Sequence, residues 1–499
     1  MTRRLYLPWQ PAINGTWPIE VHKNCVCNEY NALRNRHLME VPETTEYGEK
    51  LMSRGIETIF RDIRRRPKIM SKQEVIEHYV GAKRKAYQMA ADSLVETPLN
   101  QDDVKVKAFV KSEKWDMGVK GHKPPRIIQA RSPRYNITLA QYHKPVEELI
   151  YKIKQGKSQG ISQPCRVYAK TRNLIQRAAD IRKIKKQFKD PVIFTVDGIK
   201  FDAHAHQKQI KQTHRLYKKL QPHPSYAKLL KHMENILGVT AGGIKFKSVG
   251  RRASGDVDTA CGNSVIMVAA LRGCYKELKI RKYALYDDGD DCINFMERKD
   301  FQKVFKNLPI LMACIGHEVT IENITSEYRS IVFCQQRPVK LANRWTLSPD
   351  PYKVISGCFG TIHQFTLDGH TKHLRAQAQS LLSMTSYMPV LHEYAAYVLE
   401  KLGPGPMLLT TELQNEMRAK GYKNWMDAST HLPSDNDYES WEKTWGISKD
   451  LALQQMAQLR SIVDQHIPLT QPVKQTITKF MRGRPYQDEI WDTRDNYNI

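Results

Sequence analysis

Four aspartates crowd one turn of this chain. Asp287, Asp288, Asp290 and Asp291 surround Gly289, and the short apolar or aromatic runs Tyr283-Ala284-Leu285-Tyr286 and Cys292-Ile293-Asn294-Phe295 flank them. Asp-Gly between two strand-like segments is a strong hairpin signal. Carboxylates gathered at one turn repel each other, an arrangement that water tolerates and a divalent cation makes favourable. Hard cations such as Mg2+ take carboxylate, phosphate and water oxygens. The same residues also fit an ordinary solvated acidic hairpin, so other parts of the chain have to decide between the two.

The charge balance narrows the choice. Against 52 Asp+Glu the 499 residues carry 78 Lys+Arg, a formal net charge of +26. A surplus that large points to a polyanionic partner, nucleic acid before membrane. The length calls for two or three subdomains rather than one small core. The nine cysteines are scattered. Cys25 and Cys27 stand too close for a comfortable mutual bridge, and no paired C-x2-C spacing supports a zinc ribbon. Free thiols in a reducing cytosol are the simplest reading. No N-terminal signal peptide is recognised, and no apolar run reaches the ~18 residues of a membrane span. Membrane association is therefore expected only through a partner or a surface patch.

Read in order, the chain supplies the setting for the acidic turn. A basic cluster spans 61–68, and helical spacing of Val75, Ile76, Tyr79, Val80 and Ala82 predicts a helix over 72–95, ended by Pro98. Residues 104–111 alternate apolar and basic residues, and a second strand beginning near Arg126 makes a basic hairpin, with Lys114, Lys120 and Lys123 between. Strand-borne Arg and Lys form a rigid cationic face, and Arg forks match phosphate oxygens in pairs. A basic helical stretch follows at 166–190. The run 191–196 is a buried-strand candidate that leads directly into Asp197 and, five positions on, Asp202. His204 and His206 read as helix-entry residues, since no third ligand completes a metal set. Helices are expected over 207–220, after 259, over 299–314, and through most of the chain beyond 353, with a short strand and turn at 331–339. Thr259 and Asn263, four apart, share one helical face from which hydroxyl and amide can reach a sugar.

Taken together, these residues resemble the RNA-dependent RNA polymerases of RNA viruses, most closely the tombusvirus-like group, over roughly 105–340. The basic hairpin with Phe109-Val110-Lys111 and the run from Pro125 to Asn136 looks like the family's incoming-triphosphate motif. Asp197 and Asp202 look like its first palm motif. Ser254-Gly255, Thr259 and Asn263 look like the second, Gly289-Asp290-Asp291 like the third, and Phe333-Cys334-Gln335 like the primer grip. Five elements in the family's order are far more specific than a lone Gly-Asp-Asp. Three departures stand out. Asp287 and Asp288 precede the Gly-Asp-Asp where relatives often carry Asn, and Asp258-Thr259 stands for a usual Asn-Thr. No lysine lies between 308 and 332, which leaves Lys306 or His317 as candidate proton donors.

The resemblance implies an α+β right-hand polymerase with a ferredoxin-like antiparallel palm sheet and a mostly helical thumb. Fingers are expected from 1–190 plus an insert at 205–250, palm from 191–340 and thumb from 341–499. It implies template-directed nucleotidyl transfer copying a viral RNA genome, with two Mg2+ or Mn2+ ions on Asp197, Asp290 and Asp291. Lys111, Arg126 and Arg134 would bind the triphosphate, and Asp202, Ser254, Thr259 and Asn263 would read the ribose. Phe333, Cys334 and Gln335 would grip the primer. Single-stranded RNA template, nascent RNA and NTPs are the implied partners. A membrane-anchoring replication protein or host membrane factor would hold the chain at replication complexes in the host cytoplasm. A reverse transcriptase is the rival within the fold class, and polar Asp202 and Asn263 favour ribose instead. A basic RNA-packaging protein would account for the charge but not for the acidic turn.

Overall fold

The computed structural model describes residues 3–63, 65–116, 123–422, 424–467 and 473–475. Arg64 and Lys120, counted above among the basic residues, lie outside them. Helix α1 (Glu46–Asp62) begins where the Thr45 hydroxyl accepts from the Gly48 amide, and it buries Leu51, Met52, Ile56 and Ile59 completely. Residues 72–95 form two helices rather than one, α2 (Lys72–Glu77) and α3 (Gly81–Glu96). Gly81 takes a positive φ of 61°, and the break turns the Tyr79 ring onto Tyr87 at 4.8 Å. Side-chain packing has overridden a continuous helical pattern.

The basic hairpin forms as expected from β1 (Val106–Val110) and β2 (Ile127–Ala130), paired antiparallel. Residues 133–136 do not continue the second strand. Ser132 caps the Arg134 and Tyr135 amides and Pro133 opens α4 (Pro133–Tyr151), which is where both residue types favour a helix start. Next come α5 (Leu174–Lys185), β3 (Pro191–Gly198) and α6 (Gln207–Leu220). A hairpin of β4 (Asn235–Thr240) and β5 (Lys245–Val249) then extends the basic hairpin into a four-stranded sheet ordered β5-β4-β1-β2, in which β1 and β4 run parallel.

Helix α7 (Thr259–Glu277) is buried without interruption from Cys261 to Tyr275. It is buried on all sides because it runs through the middle of the largest core, with Asn263, Ser264 and Arg272 as its buried polar residues. After it come β6 (Tyr283–Asp288), β7 (Asp291–Glu297), α8 (Arg298–Ile315) and β8 (Val319–Thr325). The second sheet is ordered β6-β7-β3-β8, every neighbouring pair antiparallel. Helix α1 packs against α6, α7 and α8. Its crossing with α7 is close: a Cβ on Gly55 would run into the Ala269 carbonyl, and one on Gly273 into the Leu51 carbonyl.

The remainder is a hairpin of β9 (Gln336–Leu341) and β10 (Arg344–Pro349) followed by helices α9 (Leu367–Met384), α10 (Leu391–Leu402), α11 (Thr411–Ala419), α12 (Asp435–Trp445) and α13 (Lys449–His466). Helices α9, α10, α12 and α13 enclose a core of their own, and Trp9 and Ile13 from the N-terminus belong to it. The Trp9 indole donates to the Tyr394 hydroxyl at 2.6 Å, and strand Leu5–Leu7 pairs with Val473–Gln475. The first residues, read from sequence as part of an N-terminal unit, thus pack with the C-terminal helices. No helix of the described residues is long and apolar enough to cross a membrane.

The α1–α7 crossing yields a stability prediction. Gly273→Val places branched carbon against the Leu51 backbone and should cost about 1–3 kcal/mol, the usual penalty of overpacking, read as a lower Tm. An unchanged Tm would mean that the two helices can separate freely and that the crossing is not a fixed contact.

Candidate active site

Strand β3 buries every residue from Val192 to Val196 and then delivers Asp197 to the surface. Strand β7 begins at Asp291, and the register sets Asp291 directly opposite Asp197. Directly opposite residues of antiparallel strands stand roughly 4.5–5.5 Å apart between α-carbons. Asp288 lies opposite Asp291 on the other side, which leaves Gly289 and Asp290 as a two-residue loop. Gly289 has φ 89°, the positive value that the first loop position of a II′ turn requires. The Gly289 amide is tied to helix α7 through the Ser264 hydroxyl at 3.0 Å.

The four aspartates of the turn divide into two pairs. Asp287 is buried, its main chain bonded to Val167 and Ala169, and burial pushes its carboxyl well above the usual range. Asp288 is bound by Lys170 and by Arg177 at 2.7 Å. Burial alone would raise it, yet the two cations hold its carboxyl below the usual range. The extra charge noted in the sequence is therefore neutralised inside the protein and does not face solvent. Asp290 and Asp291 have no such counter-ions among the described residues. Burial and then the Asp202 charge raise Asp290. Burial, with Asp290 and Asp197 nearby, pushes Asp291 up to about 7 even though a backbone amide works against it. Asp197, though it reaches the surface, is raised by partial desolvation and then by Asp290 and Glu322.

That amide belongs to Cys334, which donates to Asp291 Oδ2 at 2.7 Å. Phe333 bridges Gln336, and Cys334 and Gln335 between them both take positive φ, 50° and 60°. This left-handed two-residue turn is costly for side chains other than glycine. It is anchored by the buried Phe333 ring against Tyr286 at 5.3 Å. Of the short strand and turn expected over 331–339, the strand starts at Gln336, and Phe333, Cys334 and Gln335 form a turn that holds a carboxylate.

A second cluster lies beside the first. Asp202, on the short helix Phe201–His204, accepts from the Ser254 hydroxyl and from the Asn263 amide, the latter at 2.8 Å. Thr259 lines the same cavity as these residues but does not bond Asp202. Its hydroxyl bonds the Ala253 and Asp256 carbonyls at 2.9 and 2.8 Å and accepts from Gly255, so it braces the 253–259 loop instead.

The three basic residues also separate. Lys111 and Arg126 both grasp Glu113, at 2.8 and 3.1 Å. Burial works to raise Glu113, but Lys111, Arg126 and Arg36 keep it below the usual range. Arg134 points elsewhere. Its guanidinium binds Asp103, the Ser93 hydroxyl and the Thr97 and Pro98 carbonyls, tying the start of α4 to the end of α3. Arg36 was not foreseen. It sits on a π-helical turn, Leu33–His37, a local geometry common at functional sites. Burial and the Arg126 charge lower its pKa while Glu113, Asp202 and Asp290 raise it. Among the described residues it makes no ion pair. No periodicity or motif in the sequence marked it.

Lys111, Arg126, Arg36, Asp202, Ser254, Asn263 and Asp290 line one cavity of about 890 Å³. Helix α11 packs on α3, and Arg418 and Gly421 close the cavity on that side. The candidate proton donors are not there. His317 is fully buried beside Gln209 Oε1 at 2.8 Å, and burial pushes its pKa down to about 3. Lys306 is on the solvent face of α8. His204 bonds Glu318 and His206 the Pro42 carbonyl, as the helix-entry reading expected.

Among the described residues no group of three His, Cys, Asp or Glu side chains is gathered closely enough to hold an ion by itself. The donor set nevertheless fits Mg2+. Asp197, Asp290 and Asp291 are oxygen donors raised first by desolvation and then by neighbouring carboxylates, and Mg2+ characteristically binds through one or two carboxylates, completing its shell with substrate phosphates and water.

Residues 10–460 match the model of a viral RNA dependent RNA polymerase family. The chain is 30% identical over 382 residues to the RNA-directed RNA polymerase of Groundnut rosette virus, covering 76% of this chain and 44% of that protein. It is 27% identical over 456 residues to the RNA-directed RNA polymerase of Tobacco necrosis virus strain A, covering 88% of this chain and 61% of that one. A match to the Tomato bushy stunt virus polymerase is 30% identical over 281 residues, 54% of this chain and 33% of that protein. The chain thus spans less than two thirds of the length of each of these relatives.

The separation of Arg126 from Arg134 is testable. If the cavity takes a nucleoside triphosphate, Arg126→Ala should raise its KM by ~10-fold, the effect of losing a charge-assisted contact. Arg134→Ala should instead lower Tm and leave that KM nearly unchanged. A KM defect in Arg134→Ala equal to that of Arg126→Ala, at unaltered Tm, would return Arg134 to the cavity.

Proposed function

Since the chain belongs to the family of viral RNA dependent RNA polymerases, we propose that it carries out RNA-templated nucleotidyl transfer. The observation that carries this reading is the pairing of Asp291 with Asp197 across two strands, beside Asp290 and a cavity lined by cations and polar groups. In this reading β6-β7-β3-β8, with α7 and α8, is a ferredoxin-like palm, since strand, helix, two strands, helix and strand follow in that order. Residues 1–190 and the 205–250 insert serve mainly as fingers, and 341–499 as thumb.

Asp197, Asp290 and Asp291 would hold two Mg2+ or Mn2+ ions, which when bound stabilise the attacking and leaving oxygens of an in-line displacement. Lys111 and Arg126 would release Glu113 and turn to the triphosphate, joined by Arg36. Preorganised cations of this kind usually supply the largest catalytic term. Asp202, Ser254 and Asn263 would receive the ribose hydroxyls. The 2′-hydroxyl both donates and accepts, so a carboxylate flanked by hydroxyl and amide suits it. The 333–335 turn, read from sequence as a primer grip, would also orient Asp291.

The proposed partners are single-stranded template RNA, nascent RNA and NTPs. A membrane-anchoring replication protein or host membrane factor would place the chain at replication complexes in the host cytoplasm, copying a viral genome. Purified protein with an RNA template, four NTPs and Mg2+ or Mn2+ should extend RNA. Asp290→Asn and Asp197→Asn should each abolish extension while RNA binding stays near wild type. Robust synthesis by Asp290→Asn would end the catalytic assignment. Metal-independent RNA binding without synthesis in the wild type would favour a packaging role.

A further inference from the structure

Behind the Asp202 cluster lies a buried arginine with no part in the reading above. Arg252 is 2% exposed. Its Nη1 donates to Asp258 Oδ2 at 2.7 Å, and Asp258 is fully buried. Its Nε donates to Asn263 Oδ1 at 3.2 Å. Its backbone amide donates to the Asp202 carbonyl at 2.8 Å. The guanidinium lies flat on α7 at Gly262, where a Cβ would strike it. Asn263 then presents its other end, the NH2, to Asp202 Oδ1.

An amide side chain has two nearly isosteric ends, and the surrounding hydrogen bonds alone decide which end faces which neighbour. A carboxylate can only accept, so Asp202 needs the NH2 end. If the amide turned over, two acceptors would face each other. Asn263 can also rotate away unless something holds its oxygen, and Arg252 is the group that does. Asp258 supplies the counter-charge that lets a guanidinium remain in this dry position. The acidic residue at 258, a departure from the Asn expected by resemblance, thereby gains a physical role.

We propose that Arg252 is the positioning residue for sugar selection: held by Asp258 and seated on Gly262, it fixes the Asn263 amide so that its NH2 faces Asp202. The inference rests on the reading that Asp202, Ser254 and Asn263 receive the ribose. A site whose polar groups are fixed for a hydroxyl rejects the analogue lacking it, and loosening those groups erodes the rejection first.

The test uses two charge-free double variants, so that no unpaired charge remains buried. Arg252→Met with Asp258→Asn fills the space without a donor. Arg252→Gln with Asp258→Asn places an amide nitrogen the same number of bonds from the α-carbon as the arginine Nε. The readout is the ratio of kcat/KM for NTP over dNTP in primed extension, with Tm measured alongside. The methionine variant should lose ~10-fold or more in that ratio, the worth of one buried hydrogen bond, and the glutamine variant should recover most of it. Equal ratios in the two would overturn the inference. Should either fail to fold, Gly262→Ala displaces the guanidinium with its charge intact, and an unchanged ratio there would overturn it equally. Asn263→Ala separates the two levels. If its ratio matches wild type, the ribose reading itself fails. If its ratio falls while the methionine variant keeps wild-type discrimination, only the role of Arg252 fails.

Discussion

The pairing of two carboxylates across adjacent strands is the constraint on which the rest of this structure depends. Asp197 and Asp291 stand opposite each other because β3 and β7 share one register, and a one-residue slip would turn either side chain to the opposite face. Register is held by burial: Val192 to Val196 on one strand and Cys292 to Met296 on the other are enclosed. The apolar cores on the two faces of the sheet thus hold together charges that would otherwise move apart. Helix α7 adds to this from below, through Ser264 on the turn amide and Asn263 on Asp202.

Charge is allotted with some economy around that pair. The chain carries +26 overall, yet the cations nearest the acidic turn are already committed. Lys170 and Arg177 answer Asp288, and Arg252 and Arg131 answer the buried Asp258 and Asp256. Asp197, Asp290 and Asp291 make no ion pair among the described residues, and desolvation together with neighbouring carboxylates raises their pKa values. Lys111 and Arg126 line the same cavity as Asp290 and are held by Glu113. A polyanionic substrate with its counter-ions would satisfy both sides at once.

The sequence announced what local physics governs. Asp-Gly between apolar runs foretold the β6–β7 turn, and an unbroken apolar run foretold β3. The helix expected over 207–220 has those limits in α6. What it did not announce depends on partners far along the chain. The ion pairs of Asp288 could not be read locally, because Lys170 and Arg177 are more than a hundred positions away. Arg134 looked like a strand residue in a basic hairpin, although Ser132-Pro133 just before it is a helix-start signal that could have moved it. Thr259 shares a helical face with Asn263, but its short hydroxyl finds the carbonyls of its own loop first. Arg36 had no motif, and the β4–β5 hairpin joined β1 through a parallel pairing that no local pattern encodes.

The central claim is that carboxylates from β3 and the β6–β7 turn hold divalent cations together with a triphosphate. Electron paramagnetic resonance of Mn2+ titrated into the protein tests it without requiring turnover. The account predicts weak Mn2+ binding alone and clearly tighter binding when NTP is added, with that gain lost in Asp197→Asn and in Asp290→Asn. A gain of equal size in both variants would contradict it, for the metal and its triphosphate would then sit elsewhere on the chain.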